Sequence, residues 1–157
     1  QIMEDVFLSS TFGGESVSIA ASLAVIDKFE RTNGVAHIHN IGEQIIEKTK
    51  KLIAAYNLDD IISVHGHPCW SFLVIKDYAN YSSWDIKTLF MQECLKRGLL
   101  TFCTHNISYA YSQNEVDYIE NVYREVLPII KHAIDNNNLY DHLLCEPLKQ
   151  LFKVREV

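Results

Sequence analysis

Apolar and small residues crowd the early part of this chain. In "ESVSIAASLAVIDKF", Val17, Ile19, Leu23, Val25, Ile26 and Phe29 are set among serine and alanine. The pattern predicts a helix that opens at Gly13 or Gly14 and runs to about Thr32, with Gly34 of "TNG" available as a left-handed cap. A second helix is predicted over about Val35 to Tyr56, where Ile38, Ile41, Ile45, Ile46, Leu52 and Ile53 recur on one face. The period then shifts to alternation, and two extended pieces are predicted, Ile61 to His65 and Cys69 to Lys76. Ser82-x-x-Asp85 caps a helix through "WDIKTLFMQECLKR", which Gly98 closes. "LLTFCT" and "NISYAYS" read as two short strands. Ser112-x-x-Glu115 is a capping box for a last long helix, inside which Pro128 predicts a kink or break. The tail after Ile134 reads as a short helix and a surface extension.

The order helix, helix, strand, strand, helix, strand, strand, helix predicts a mixed α/β fold of the α+β layer type. It would have a small, mostly antiparallel sheet with helices on one face.

Composition narrows the classes. A chain of 157 residues with 48% hydrophobic and 22% charged residues suits one globular domain. The net charge of −6 gives no electrostatic reason to expect nucleic acid or an anionic membrane. No apolar run approaches the roughly 20 residues that cross a bilayer. The four cysteines form no C-x-x-C pair, and reduced thiols in a cytoplasmic protein are the simpler reading. Residues 1–8, "QIMEDVFL", lack the basic start of a secretory signal, and the chain reads as the middle of something longer.

Two places suggest chemistry. "SSTFGGES", Ser9 to Ser16, sets three consecutive hydroxyls and two glycines at a helix mouth. Such a turn either caps the helix or adds donors to the partial positive charge there, making a phosphate or carboxylate site. His65, His67, Cys103 and His105 form two i, i+2 pairs, and a four-ligand metal site would follow if their strands adjoined in register. No catalytic constellation stands out.

The residues "VFLSSTFGGESVSIAASLAVID" resemble the segment that follows the catalytic lysine region in class III pyridoxal-phosphate-dependent aminotransferases, and glutamate-1-semialdehyde aminomutase above all. "VHGHPCWSFLVIKD" resembles that family's glycine-containing strand. "LFMQECLKRGLLTFCTHNISYAYSQNEVDYIENVYREVL" resembles its ending of helix, R-G, strand, loop, strand and helix.

The resemblance implies the C-terminal portion of a fold type I enzyme. Residues 1–33 would be the end of the large cofactor domain and a long linking helix, and residues 34–157 the small C-terminal domain. It implies pyridoxal 5'-phosphate as cofactor, with Thr11 giving its phosphate a contact across a homodimer interface. Ser10 stands where many relatives have glycine. It implies a partner subunit, an N-terminal large domain, a small amino or keto substrate, and no nucleic acid or membrane partner. The Schiff-base lysine would precede residue 1, so the chain is expected to be inactive alone. The arginine that grips a substrate carboxylate in many relatives has no match in "TFCTHNISYAYS", and Tyr111 replaces the usual histidine. The missing arginine argues against the ornithine- or GABA-type pattern and is compatible with the aminomutase-like branch. In isolation the apolar stripe of the first helix is expected to favour self-association. The alternative is a stand-alone, non-catalytic binding or interaction module of the same small fold.

Overall fold

The computed structural model describes residues 14–149. They fall into two units, divided between Ala36 and His37.

In the first unit, helix α1 spans Ser16–Thr32 and begins three residues beyond the earlier predicted start, Gly13. Gly14 turns with φ of +83°, and Glu15 then caps the helix through its own carboxylate. Charge is confined to the C-terminal end: Asp27 and Arg31 pair across one turn, Nη2 to Oδ2 3.0 Å. Val17, Ile19, Leu23, Val25 and Ile26 are all exposed. The left-handed residue that ends α1 is Asn33, not Gly34; its N–H donates to the Phe29 carbonyl, a conformation asparagine tolerates. Gly34 instead opens the next helix, where a Cβ would lie 2.8 Å from the Phe29 ring.

Helix α2 (Gly34–Ala55) leads into the second unit. Strands β1 (Ile62–His67) and β2 (Trp70–Ile75) follow as an antiparallel hairpin. Helix α3 (Ser83–Lys96) comes next, then β3 (Thr104–Asn106) and helix α4 (Gln113–Asp135). A 3-10 turn at Leu139–His142 completes the described elements. The sheet order is β1-β2-β3, antiparallel throughout. Both predicted capping boxes form: Ser82 with Asp85 opens α3, and Ser112 with Glu115 opens α4.

Pairing His65 with Phe72, His67 with Trp70, and Trp70 with Asn106 sets the parity of the sheet. Ile62, Ser71, Leu73 and His105 face inward and are buried. They meet one core that also takes Ile41, Ile45 and Leu52 of α2, Leu89 and Phe90 of α3, and Val126 and Ile130 of α4. Ser63, His65, His67, Trp70, Phe72, Val74, Thr104 and Asn106 face the other way.

One short strand stands where two were predicted. Cys103 takes a left-handed φ of 62°, and its N–H bonds to the Thr101 hydroxyl at 3.0 Å, so "LLTFCT" cannot extend. The Cys103 carbonyl accepts from Leu73 N–H (2.8 Å), and Ile107 N–H donates to the Cys69 carbonyl (3.2 Å). Ser108 then turns the chain by accepting from Ala110 N–H.

The predicted break at Pro128 does not occur; α4 runs through it. A proline there cannot donate to the carbonyl of Arg124, one turn back. The Tyr56 hydroxyl donates to that carbonyl instead, at 3.1 Å. Lys48 of α2 also bridges to Asp117 and Glu120 of α4.

Where α2 passes the β1–β2 turn, two backbones meet. A Cβ at Gly42 would lie 1.8 Å from the Pro68 carbonyl oxygen. Beside this contact the His39 and His67 rings meet edge to face, with centroids 5.4 Å apart.

Candidate functional site

Thr11 and the hydroxyl turn Ser9–Thr11 lie outside the described residues. The helix end that follows them does not. The Glu15 carboxylate accepts from Val17 N–H at 2.9 Å and Ser18 N–H at 2.6 Å. Those bonds, with the Ser18 hydroxyl foremost, hold its carboxyl below the ordinary value. Two of the donors that an anion would seek at this helix end, the Val17 and Ser18 amides, are therefore taken by a carboxylate. Among the described residues, the α1 N-terminus is a capped end.

The metal reading is also overturned. His65 faces outward on β1, 3.0 Å from the Ser63 hydroxyl. His67 Nδ1 accepts from Cys69 N–H at 3.2 Å. His105 faces inward on β3, two strands away. Cys103 is buried, and burial pushes its thiol up to about 11, so the thiolate a metal needs is disfavoured. Among the described residues no three His, Cys, Asp or Glu side chains converge to hold a metal ion.

The structure instead builds a buried hydrogen-bond chain. Ser71 Oγ lies 2.9 Å from His105 Nδ1, and His105 Nε2 lies 2.8 Å from the Tyr123 hydroxyl. All three are buried, and desolvation lowers the His105 pKa to about 4. The imidazole is therefore neutral between two hydroxyls, donating at one nitrogen and accepting at the other. A serine beside a histidine suggests nucleophilic chemistry, but Ser71 has no exposure to a substrate. The chain ties β2 and β3 to α4. Parity could have revealed it: Ser71 alternates with Leu73 at inward positions, and a polar residue there requires an inward partner.

A second polar network joins α3 to α4. The Glu93 carboxylate is buried, which opposes its charge, but bonds from Lys96, Gln92 and Arg97 outweigh that and hold its pKa down. Arg97 also reaches Glu125 of α4 at 2.8 Å. These are staples; every charge has a partner.

The open cleft of about 950 Å³ lies between the start of α3 and the segment after the 3-10 turn, lined in part by Trp84, Asp85 and Tyr140. Asp85 in its wall already accepts from Ser82 N–H, the Ser82 hydroxyl and the Tyr140 hydroxyl. The Asp85 carboxylate is thus engaged within the fold. No helix among the described residues is long and apolar enough to cross a membrane.

No protein-family model matches the chain. No curated protein matches it either. Solved structures do. A transaminase with PLP bound superposes with a TM-score of 0.68 over 82% of this chain, at 16% identity. An omega-transaminase from Sphaerobacter thermophilus superposes with a TM-score of 0.67 over 80%, at 12% identity. The chain spans 30% of the first and 31% of the second. Such identities speak for the fold alone, and by fold this chain is the counterpart of about three tenths of a transaminase chain.

Proposed function

We propose that the chain is the C-terminal part of a PLP-dependent aminotransferase or aminomutase of class III, working as a cytoplasmic homodimer on a small amino or keto substrate. The observation that carries this reading is the TM-score of 0.68 over 82% of the chain to a transaminase with PLP bound. The order of motifs from "SSTFGGE" onward supports it independently.

Bound PLP supplies an electron sink for reactions at an amine-bearing carbon. This chain's part is anchoring. With the Val17 and Ser18 amides bonded to Glu15, the contact to the cofactor phosphate would come from the Thr11 hydroxyl. A neutral donor there would fix the ring's position without adding a proton to the reaction.

The segment from Gly98 to Asn114 contains no Asp, Glu, Lys or Arg. It has no guanidinium with which to fork a second substrate carboxylate. That argues against the ornithine- or GABA-type pattern and is compatible with the aminomutase-like branch. The catalytic lysine is assigned to no residue here, so the 157-residue chain is proposed to be inactive by itself.

The polypeptide from the complete reading frame, purified, should show visible absorption from a lysine-bound cofactor that borohydride removes. Thr11→Ala should then lose cofactor several-fold faster on dialysis, and Thr11→Ser should hold it. A frame with no lysine-bearing domain ahead of Gln1 would defeat the proposal, and unchanged retention in Thr11→Ala would defeat the role of Thr11.

A further inference from the structure

Strand β2 outruns the strand beside it. β3 pairs only with Trp70, Ser71 and Phe72. Just ahead of it the left-handed Cys103 gives its N–H to the Thr101 hydroxyl rather than to the sheet. Ladder parity aims the N–H and C=O of Ser71, Leu73 and Ile75 at the β3 side. The Leu73 N–H still reaches the Cys103 carbonyl at 2.8 Å. The Leu73 C=O and both backbone groups of Ile75 have no hydrogen-bond partner among the described residues. Backbone groups left in this way are a template for one more strand.

These groups border a pocket of about 250 Å³ between the end of β2 and the first turns of α3, walled there by Trp84 and Lys87. Trp84 is 39% exposed, and the Lys87 ammonium lies over its ring, 5.5 Å from the centroid. Lys87 is half-buried, yet among the described residues no carboxylate pairs with it. Asp77, at the same helix start, is instead bound by the Ser83 N–H at 2.6 Å. Lys96 and Arg97, at the other end of α3, both have Glu93. A charge drawn partly out of water is ordinarily paired, so Lys87 calls for an anion from outside.

We propose that this notch binds a short extended peptide that ends in a free carboxylate. The peptide lies along β2 beyond the end of β3, exchanging backbone bonds with Leu73 and Ile75. Its carboxylate meets the Lys87 ammonium, and a side chain covers the Trp84 ring. The run of acceptor, donor and acceptor along one strand edge fits an extended backbone, not a compact anion. Charge complementarity at Lys87 selects a chain end over the middle of a strand. The volume, small against the roughly 300–1,000 Å³ of drug-sized sites, takes a few residues and not a domain. The site stands whether or not the chain is part of a transaminase.

Amide NMR of the 157-residue chain tests this with acetyl-Thr-Val-Leu as the free acid, the same peptide as its C-terminal amide, and sodium acetate. The free acid should move the Ile75 amide proton downfield, slow its exchange with solvent and shift the Trp84 indole N–H. The amide form should bind several-fold more weakly. Lys87→Gln should abolish that difference and Lys87→Arg should keep it. No change at Ile75 with millimolar free acid would overturn the proposal. So would a shift at Trp84 alone, which is stacking without a strand, or the same changes from acetate, which is an anion site without a strand. Protection of Ile75 that grows with protein concentration in the absence of peptide would overturn it in favour of a second copy.

Discussion

The Tyr56 hydroxyl donates to the Arg124 carbonyl, 3.1 Å away and 68 residues on, which is the carbonyl that Pro128 leaves without its helical partner. Tyr56→Phe should cost about 1 kcal/mol in urea unfolding, the worth of an ordinary hydrogen bond. In a Pro128→Ala background the alanine N–H can serve that carbonyl, so the same substitution should cost little. A cost unchanged between the two backgrounds would show that the hydroxyl is not compensating for proline.

Stability should depend on pH through His105. Burial lowers its folded pKa from 6.5 to about 4. The unfolded chain therefore takes up a proton below about pH 6.5 that the folded chain refuses until about pH 4. The sign is loss on acidification: the contribution is intact above pH 6.5 and disappears progressively toward pH 4. The full span is worth roughly 3 kcal/mol. Denaturant midpoints measured from pH 7 to 4.5 should fall in the parent chain and fall less in His105→Gln.

Much of the second unit was legible because its signals are local. Capping boxes at Ser82 and Ser112 act within one turn, and α2 announces itself by its own period. What escaped is non-local. Nothing near Pro128 in sequence indicates that Tyr56 will rescue the helix. Nothing in "TFCT" indicates that Cys103 will sit left-handed with its carbonyl on Leu73. The left-handed Cys103 ends the first of the two predicted strands, and the pairing of Ser71 with His105 puts His105 inward while His65 stays outward, which undoes the metal quartet. At α1, hydroxyls drew attention as caps, but the longer Glu15 side chain reaches back to the amides. The alternation of Trp70 and Phe72 was legible; that both side chains are exposed among the described residues was not.

Thiol chemistry should separate the cysteines. Burial pushes Cys94 up to about 12 and Cys103 up to about 11. Cys145 is exposed and Cys69 half-buried. An aromatic disulfide reagent at neutral pH should label Cys145 at once and Cys69 more slowly, with Cys94 and Cys103 reacting only on unfolding. Fast labelling of four thiols in the folded chain would contradict the packing around α3.

Gly42→Ala should destabilise, against the usual trend. Alanine in a helix interior normally gains about 1 kcal/mol over glycine. Here its methyl would lie 1.8 Å from the Pro68 carbonyl oxygen, a backbone atom that cannot rotate away. Overpacking of this kind costs about 3 kcal/mol, so the loss wins. Thermal unfolding of the variant beside the parent chain reads the sign directly.

That contact has a consequence for assembly as well as stability. In the interior of α2 only Gly42 presents a bare backbone, and its neighbours Ile41 and Glu43 carry full side chains. Turning the helix by one residue, or sliding it by a turn, would bring one of those side chains or another like it against Pro68. Gly42 is therefore an index mark. It admits one rotational phase of α2 against the hairpin, much as a keyway admits a shaft in one orientation.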